Sequence, residues 1–229
     1  MVQTAQYDPI VVEPQLTTDK IRELFARGSE SAKLDYKSEY DPSDTTHKVK
    51  LAKHVLAMAN TAGGYVVVGV HDDGQRRGLY KAAVDRIDEA VVRSQIAGYT
   101  SVPIPLFVAK PIEHEGLTFA IVTVLPVTHT IVVAVADGNS PDKTLFRKGD
   151  VLVRHGSASE RWTHNDAEFM LQRIVNTRKE EWLREFGHDL ARLVRLPGAS
   201  VPEIDESAYE LSMEDFQKLG IQLMRRSNG

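Results

Sequence analysis

Two carboxylates, Glu30 and Asp35, stand close to lysines in the first third of the chain, and a further acidic cluster, Asp72 and Asp73, ends a hydrophobic run. Carboxylates brought together from separate elements can hold a divalent cation, and a neighbouring ammonium offsets charge that builds on a phosphate. Between residues 32 and 37, Ala32, Leu34 and Tyr36 alternate with Lys33, Asp35 and Lys37. That alternation predicts a strand with one buried face, and it sets Asp35 and Lys37 together on the other. Taken alone, the pair reads more readily as an exposed lysine–aspartate contact, which is common and weak. Glu30 has the opposite parity and joins the same site only from the turn after Gly28. His71, Asp72 and Asp73 follow the apolar run 65–70 and lead into the turn pair Asp73-Gly74. On spacing, this cluster is equally a rigidly held polar site at a strand end or a polar hairpin turn.

The elements that must position these groups are legible in outline. Pro9 and Pro14 punctuate an irregular arm over residues 1–15. Thr17 or Thr18 can cap a short helix carrying Ile21, Leu24 and Phe25, which Gly28 stops. Over residues 45–62, Val49, Ala52, Val55, Leu56 and Ala59 recur at helical spacing, with His47, Lys50 and His54 on a different face. Gly63-Gly64 ends that helix, and residues 65–70 form a β-rich run typical of a fully buried strand. A helix is expected over 84–97, then a stretch broken by Pro103 and Pro105. Strands are expected over 117–125, 131–135, 144–146 and 151–154. Residues 166–195 carry Phe169, Ile174, Trp182, Phe186 and Leu190 in a long amphipathic helix or helix pair. Pro197-Gly198 breaks the chain, and residues 203–214 are acidic before a final helix ending in Arg225-Arg226. The division predicted is an arm (1–15), an α+β domain (16–165) and a helical C-terminal region (166–229).

Bulk composition narrows the class. The chain has 229 residues, 42% hydrophobic and 26% charged, which is ordinary for a soluble globular domain with one substantial core. Its apolar runs are too short to span a bilayer, and no secretory signal opens it. With no cysteine, disulfides, thiolate zinc sites and cysteine nucleophiles are excluded, and a cytoplasmic location is expected. The net charge of −4 argues against indiscriminate coating of nucleic acid, so a binding face must come from local clustering. Walker-type, dinucleotide-binding, zincin and nucleophile-elbow motifs are absent, and Ser157 beside His155 reads as a turn residue. Lysines on the 45–62 helix offer sequence-independent affinity for phosphates, although such a face is more often merely solvated. Aromatics at 7% give no indication of base stacking across a sheet.

Three ordered blocks carry a resemblance. ESAKLDYK (30–37), AMANTAGGYVVVGVHDDGQRRGL (57–79) and LFRKGDVLVRHGSASERWT (145–163) resemble the Schlafen AlbA-like domain. The resemblance implies an α+β fold with a mixed sheet and packed helices, followed here by the helical C-terminal appendage. It also implies nucleic-acid binding, and in some members cleavage of transfer RNA or other structured RNA by a metal-dependent three-carboxylate site. Glu30 matches the first acid and Asp35 the second, where the family usually has glutamate. The third falls in 71–73, with Asp72 the better match and Asp73 in reserve. Lys37 matches the family lysine.

Two expectations follow from the resemblance. In the first, Glu30, Asp35 and Asp72 hold Mg²⁺ or Mn²⁺, Lys37 stabilises the developing charge, and Lys33, Lys50, Lys53, Arg76, Arg77 and Arg154 contact the backbone of RNA. In the second, the chain is a non-catalytic DNA- or RNA-binding regulator or a defence-system sensor module. A third expectation, read from the residues, is a protein-interaction or sensor module whose acidic segment 203–215 covers a basic groove. The apolar positions of the long helix serve packing on the domain or a homodimer seam, packing being the favoured reading.

Overall fold

The computed structural model describes residues 10–71 and 73–193, with side chains through residue 186. The chain divides into two compact units, Met1–Trp182 and Leu183–Gly229. In chain order the elements are α1 (Thr18–Ala26), β1 (Leu34–Lys37), α2 (Thr45–Asn60), β2 (Gly64–Val68), α3 (Lys81–Arg86), α4 (Glu89–Ala97), β3 (Leu106–His114) and β4 (Leu117–Val124). Then follow β5 (Gly138–Asn139), β6 (Thr144–Phe146), β7 (Leu152–His155), β8 (Ala158–Arg161) and α5 (His164–Leu193). Residues 183–193 of the second unit belong to the end of α5. The acidic segment and the last helix expected beyond residue 195 lie outside the described residues.

A four-stranded sheet of order β1-β2-β4-β3 organises the first unit, with β1 parallel to β2 and the other pairs antiparallel. The chain is α+β with a mixed sheet, as the sequence implied. The parallel pair is possible because α2 crosses between its strands, the connection such pairs require. Strand alternation then divides the core. Val66 and Val68 of β2 and Ala120, Val122 and Val124 of β4 meet Val49, Ala52, Val55 and Leu56 of α2. Tyr65, Val67, Phe119 and Ile121 turn to the opposite face and pack with Leu24 and Phe25 of α1, together with Leu34 and Tyr36. With a helix on each face, β2 is buried at every position, as its unbroken apolar run predicts.

Local chemistry sets the helix ends. Thr17 caps α1 through Lys20 N, and Asp44 caps α2 by accepting from Thr46 N and His47 N. Asp88 does the same for α4, so the helix expected over 84–97 is two, α3 and α4, broken at the capping residue. At the far end of α2, the N–H groups of Thr61 and Gly63 both return to Met58 O. Gly63 has φ +72°, and a Cβ there would lie 2.5 Å from Val124 O, so this turn admits only glycine. Arg173 of α5 closes the same end, donating to Thr61 O and Val127 O.

Several boundaries differ from expectation for identifiable reasons. The proline-punctuated stretch yields β3, an edge strand, where Pro111 needs no ladder partner and a register shift falls between Ala109 and Ile112. Residues 131–135 form no strand; Asn60 and loop backbone occupy their polar groups, leaving one bridge, Thr100 to Ala134. Hairpin β7–β8 was half anticipated, through 151–154 alone. Of the residues expected over 166–195, those described, through Leu193, lie in one helix, not a pair.

Asn60 joins α2 to this late region. It is fully buried; its Nδ2 donates to Val132 O (2.8 Å) and Leu152 O (3.0 Å), and its Oδ1 accepts from Val132 N (2.8 Å). Alanine would strand one donor and two acceptors without water. Asn60→Ala is therefore expected to lower urea-unfolding stability by about 3 kcal/mol, and Asn60→Asp by a comparable amount because both donor bonds are lost. A loss below about 1 kcal/mol for both would contradict this role.

Candidate functional site

Asp35 lies on the face of β1 that looks toward α2, opposite to its core neighbours Leu34 and Tyr36. The predicted solvated face is buried instead, and Asp35 is 1% exposed. Hairpin β7–β8 covers it and delivers Arg154, whose side chain is wholly buried. Arg154 Nη1 donates to Asp35 Oδ1 (3.3 Å) and Ser159 Oγ (3.2 Å), while Nη2 donates to Ser31 O (2.7 Å) and Leu34 O (3.4 Å). His54 Nδ1 lies 2.9 Å from the same Nη1. A guanidinium only donates, so His54 Nδ1 is an acceptor and the ring proton sits on Nε2. Its 3.1 Å approach to Asp35 Oδ1 is then two acceptors converging on one cation.

Lys37 shares the face with Asp35, as the alternation predicts. Its Nζ stands 2.5 Å from Asp35 Oδ2, off the hydrogen-bond direction, and donates to Tyr36 O at 2.8 Å. Glu30 enters from the turn before β1, where Oε1 accepts from Tyr36 N at 3.0 Å. Burial raises its carboxyl pKa, the Tyr36 N–H opposes that, and the nearby Asp35 charge adds to the rise. Glu30, Asp35 and Lys37 thus share one neighbourhood. Asp72 lies outside the described residues. Its neighbour Asp73 is exposed and accepts from Gln75 N, closing the turn. Gly74 in that turn packs against the turn before Glu30, where a Cβ would sit 2.6 Å from Gly28 O.

Asp35 faces two permanent cations, Glu30 accepts a backbone N–H, and no group of three His, Cys, Asp or Glu among the described residues could hold a metal ion. The expected backbone-contacting cations also separate into two kinds. Arg154 is consumed internally, so its assignment to a nucleic-acid backbone is replaced by a structural one. Lys33 donates to Ile10 O, and Arg76 pairs with Glu115 at 2.5 Å and donates to Phe25 O. Lys50 and Arg77 are exposed and Lys53 is half-buried, and none of the three makes a side-chain ion pair among the described residues. Burial lowers the Lys53 pKa, and Lys143 and Arg154 lower it further against a weaker pull from Glu160.

Ser31, His54 and Ser159 join this centre beyond the residues that the sequence singles out for it. For His54 a signal existed: it stands four residues after Lys50 on the same face of α2 as His47. Ser159 carried none without knowledge of which strand covers β1.

Burial is the largest cause that pushes His54 from 6.5 down to about 3; the Asp35 charge opposes it, and Lys37, Arg154 and Lys53 reinforce it. Its folded pKa lies below its unfolded one, so its stabilising contribution is full above pH 6.5 and is lost as pH falls toward about 3. Glu30, whose folded pKa is raised, acts in the opposite sense. Unfolding free energy is expected to fall on acidification below 6.5, and to fall less steeply in His54→Gln. Parallel profiles for the two proteins, measured by urea denaturation, would show that His54 does not carry this dependence.

None of the curated proteins matches the chain. The model of the Schlafen, AlbA_2 family matches residues 30–163, which take in β1, α2, β2 and the β7–β8 hairpin. That span covers more than half of the chain, and the protein belongs to the Schlafen, AlbA_2 family.

Proposed function

We propose that this protein binds nucleic acid through the basic face formed by α2 and the residues around β6, and that its acidic centre serves the architecture of that face. The family points to a nucleic-acid-related function. The observation that supports this reading most directly is Lys53: a half-buried ammonium with no ion pair among the described residues, repelled by Lys143 and Arg154 and attracted by Glu160 alone, with the repulsion prevailing. Cations held together at a cost are relieved by an anion, and a phosphate backbone supplies one at each nucleotide. Lys50 lies one helical turn away on α2, and exposed Arg77 extends the available positive charge. Asp35, by contrast, already has its counter-ions and repels no phosphate.

Affinity for a mixed-sequence oligonucleotide is expected to fall steeply with added salt, with Lys53→Ala weakening all sequences alike and reducing the log–log salt slope by about 1. Fluorescence anisotropy measures both. Salt-independent binding, or no binding at any ionic strength, would overturn the reading.

A second reading, metal-dependent endoribonuclease action, draws on the closeness of Glu30 to Asp35, two acidic groups near enough to perturb each other. It requires Asp35 to be released from Lys37 and Arg154, and a further acid from residues 71–73. Incubation of a transfer-RNA pool with Mn²⁺ or Mg²⁺ tests it. The reading expects cleavage by the wild type that Glu30→Gln abolishes; equal residual cleavage by both proteins rejects it. Glu30→Gln is the informative variant because it keeps an acceptor for Tyr36 N, whereas removing Asp35 would leave Arg154 buried without its anion.

A further inference from the structure

A small cavity opens beside β1, lined by Lys37, His47, Lys50, Tyr40, Leu51 and Val66, with Glu39 and Val68 completing its wall. Its floor is apolar and shut, since Leu51, Val66 and Val68 are core residues. The enclosed space is about 20 Å³, room for a single water. No nucleobase enters it, so a ligand must stop at its rim.

The rim carries N–H donors. His47 Nδ1 accepts from Asp41 N at 3.1 Å, which places the ring proton on Nε2. Lys37 pairs with Asp35 and donates one N–H group to Tyr36 O, so its ammonium keeps N–H groups for a ligand. Lys50 is exposed and makes no ion pair or side-chain hydrogen bond among the described residues. The acid on this rim is Glu39, which is 72% exposed and 3.7 Å from His47 Nε2, a loose contact that a ligand can displace.

We infer that this rim seats the terminal phosphate of a nucleic-acid strand. Three donor-bearing groups around one closed pocket match the three non-bridging oxygens and two charges of a phosphomonoester. An internal diester offers two such oxygens and one charge, and its chain must continue on both sides of the seat. Charge-assisted hydrogen bonds to the oxyanion provide the discrimination. This inference deepens the proposed function and rests on it for the identity of the strand, but the anion seat itself is independent of it.

The test compares matched single strands bearing a 5′-phosphate, a 3′-phosphate or hydroxyls at both ends. One phosphorylated end is expected to bind about tenfold more tightly than the hydroxyl strand, and Lys50→Ala, which weakens both strands, to bring the ratio of their affinities to about one. In parallel, inorganic phosphate is titrated into the full chain while the His47 ring resonances are followed by NMR, with Lys50→Ala as comparison. Equal affinity for all three strands with no His47 response to phosphate overturns the inference. A saturable, Lys50-dependent His47 response without binding of any strand supports the anion seat and instead rejects the nucleic-acid reading.

Discussion

The buried guanidinium of Arg154 meets four parts of the chain at once: the carboxylate of Asp35 on β1, the backbone carbonyls of Ser31 and Leu34, the ring of His54 on α2, and Ser159 across its own hairpin. An arginine taken wholly out of water is tolerated only when its donors find acceptors and its charge finds a counter-ion. Both conditions are met here, apart from Nε, which has no acceptor. The fork geometry explains why arginine occupies the position: one nitrogen reaches the carboxylate while the other reaches two carbonyls, an arrangement a lysine point charge cannot reproduce. The packing of β7–β8 against β1 and α2, and with it the shape of the basic face, depends on this cation finding Asp35.

That dependence separates two roles which acidic residues near lysines invite one to merge. Asp35 is enclosed and compensated; it contributes order. The lysines on α2 are uncompensated; they contribute potential. Enclosing the acid keeps negative charge off the surface that carries the α2 lysines, and Lys37 sits at the boundary between the two regions, paired inwardly with Asp35 and bordering the cavity outwardly. A chain of net charge −4 can in this way carry a locally basic face.

Much of this was legible from local patterns. The period-two alternation at 32–37 and the helical period over 45–62 place Asp35, Lys37, Lys50 and His54 correctly relative to their own elements, because those periods are consequences of backbone geometry. What local pattern cannot carry is which element covers which. Asp35 reads as solvent-facing until a hairpin more than a hundred residues away is laid over it, and Arg154 reads as a surface cation for the same reason. β3 is hidden because Pro103 and Pro105 punctuate its approach and Pro111 interrupts it, a residue that breaks strands in a sheet interior but is tolerated at an edge. Glu30 entered from the turn as the resemblance implied; alternation alone pointed it away.

Arg154 and Asp35 are separated by 119 positions in the chain, and Asn60 reaches Leu152 across 92. Contacts of such span demand that a long loop be closed before they repay its entropy, so they set the pace of assembly. During synthesis, β1, α2 and β2 emerge well before the hairpin that neutralises Asp35. Until it arrives, an acid destined for burial faces water beside the lysines of the same sheet face. The basic face therefore matures only when nearly the whole family domain has left the ribosome, and a nascent chain lacks the charge separation of the finished fold.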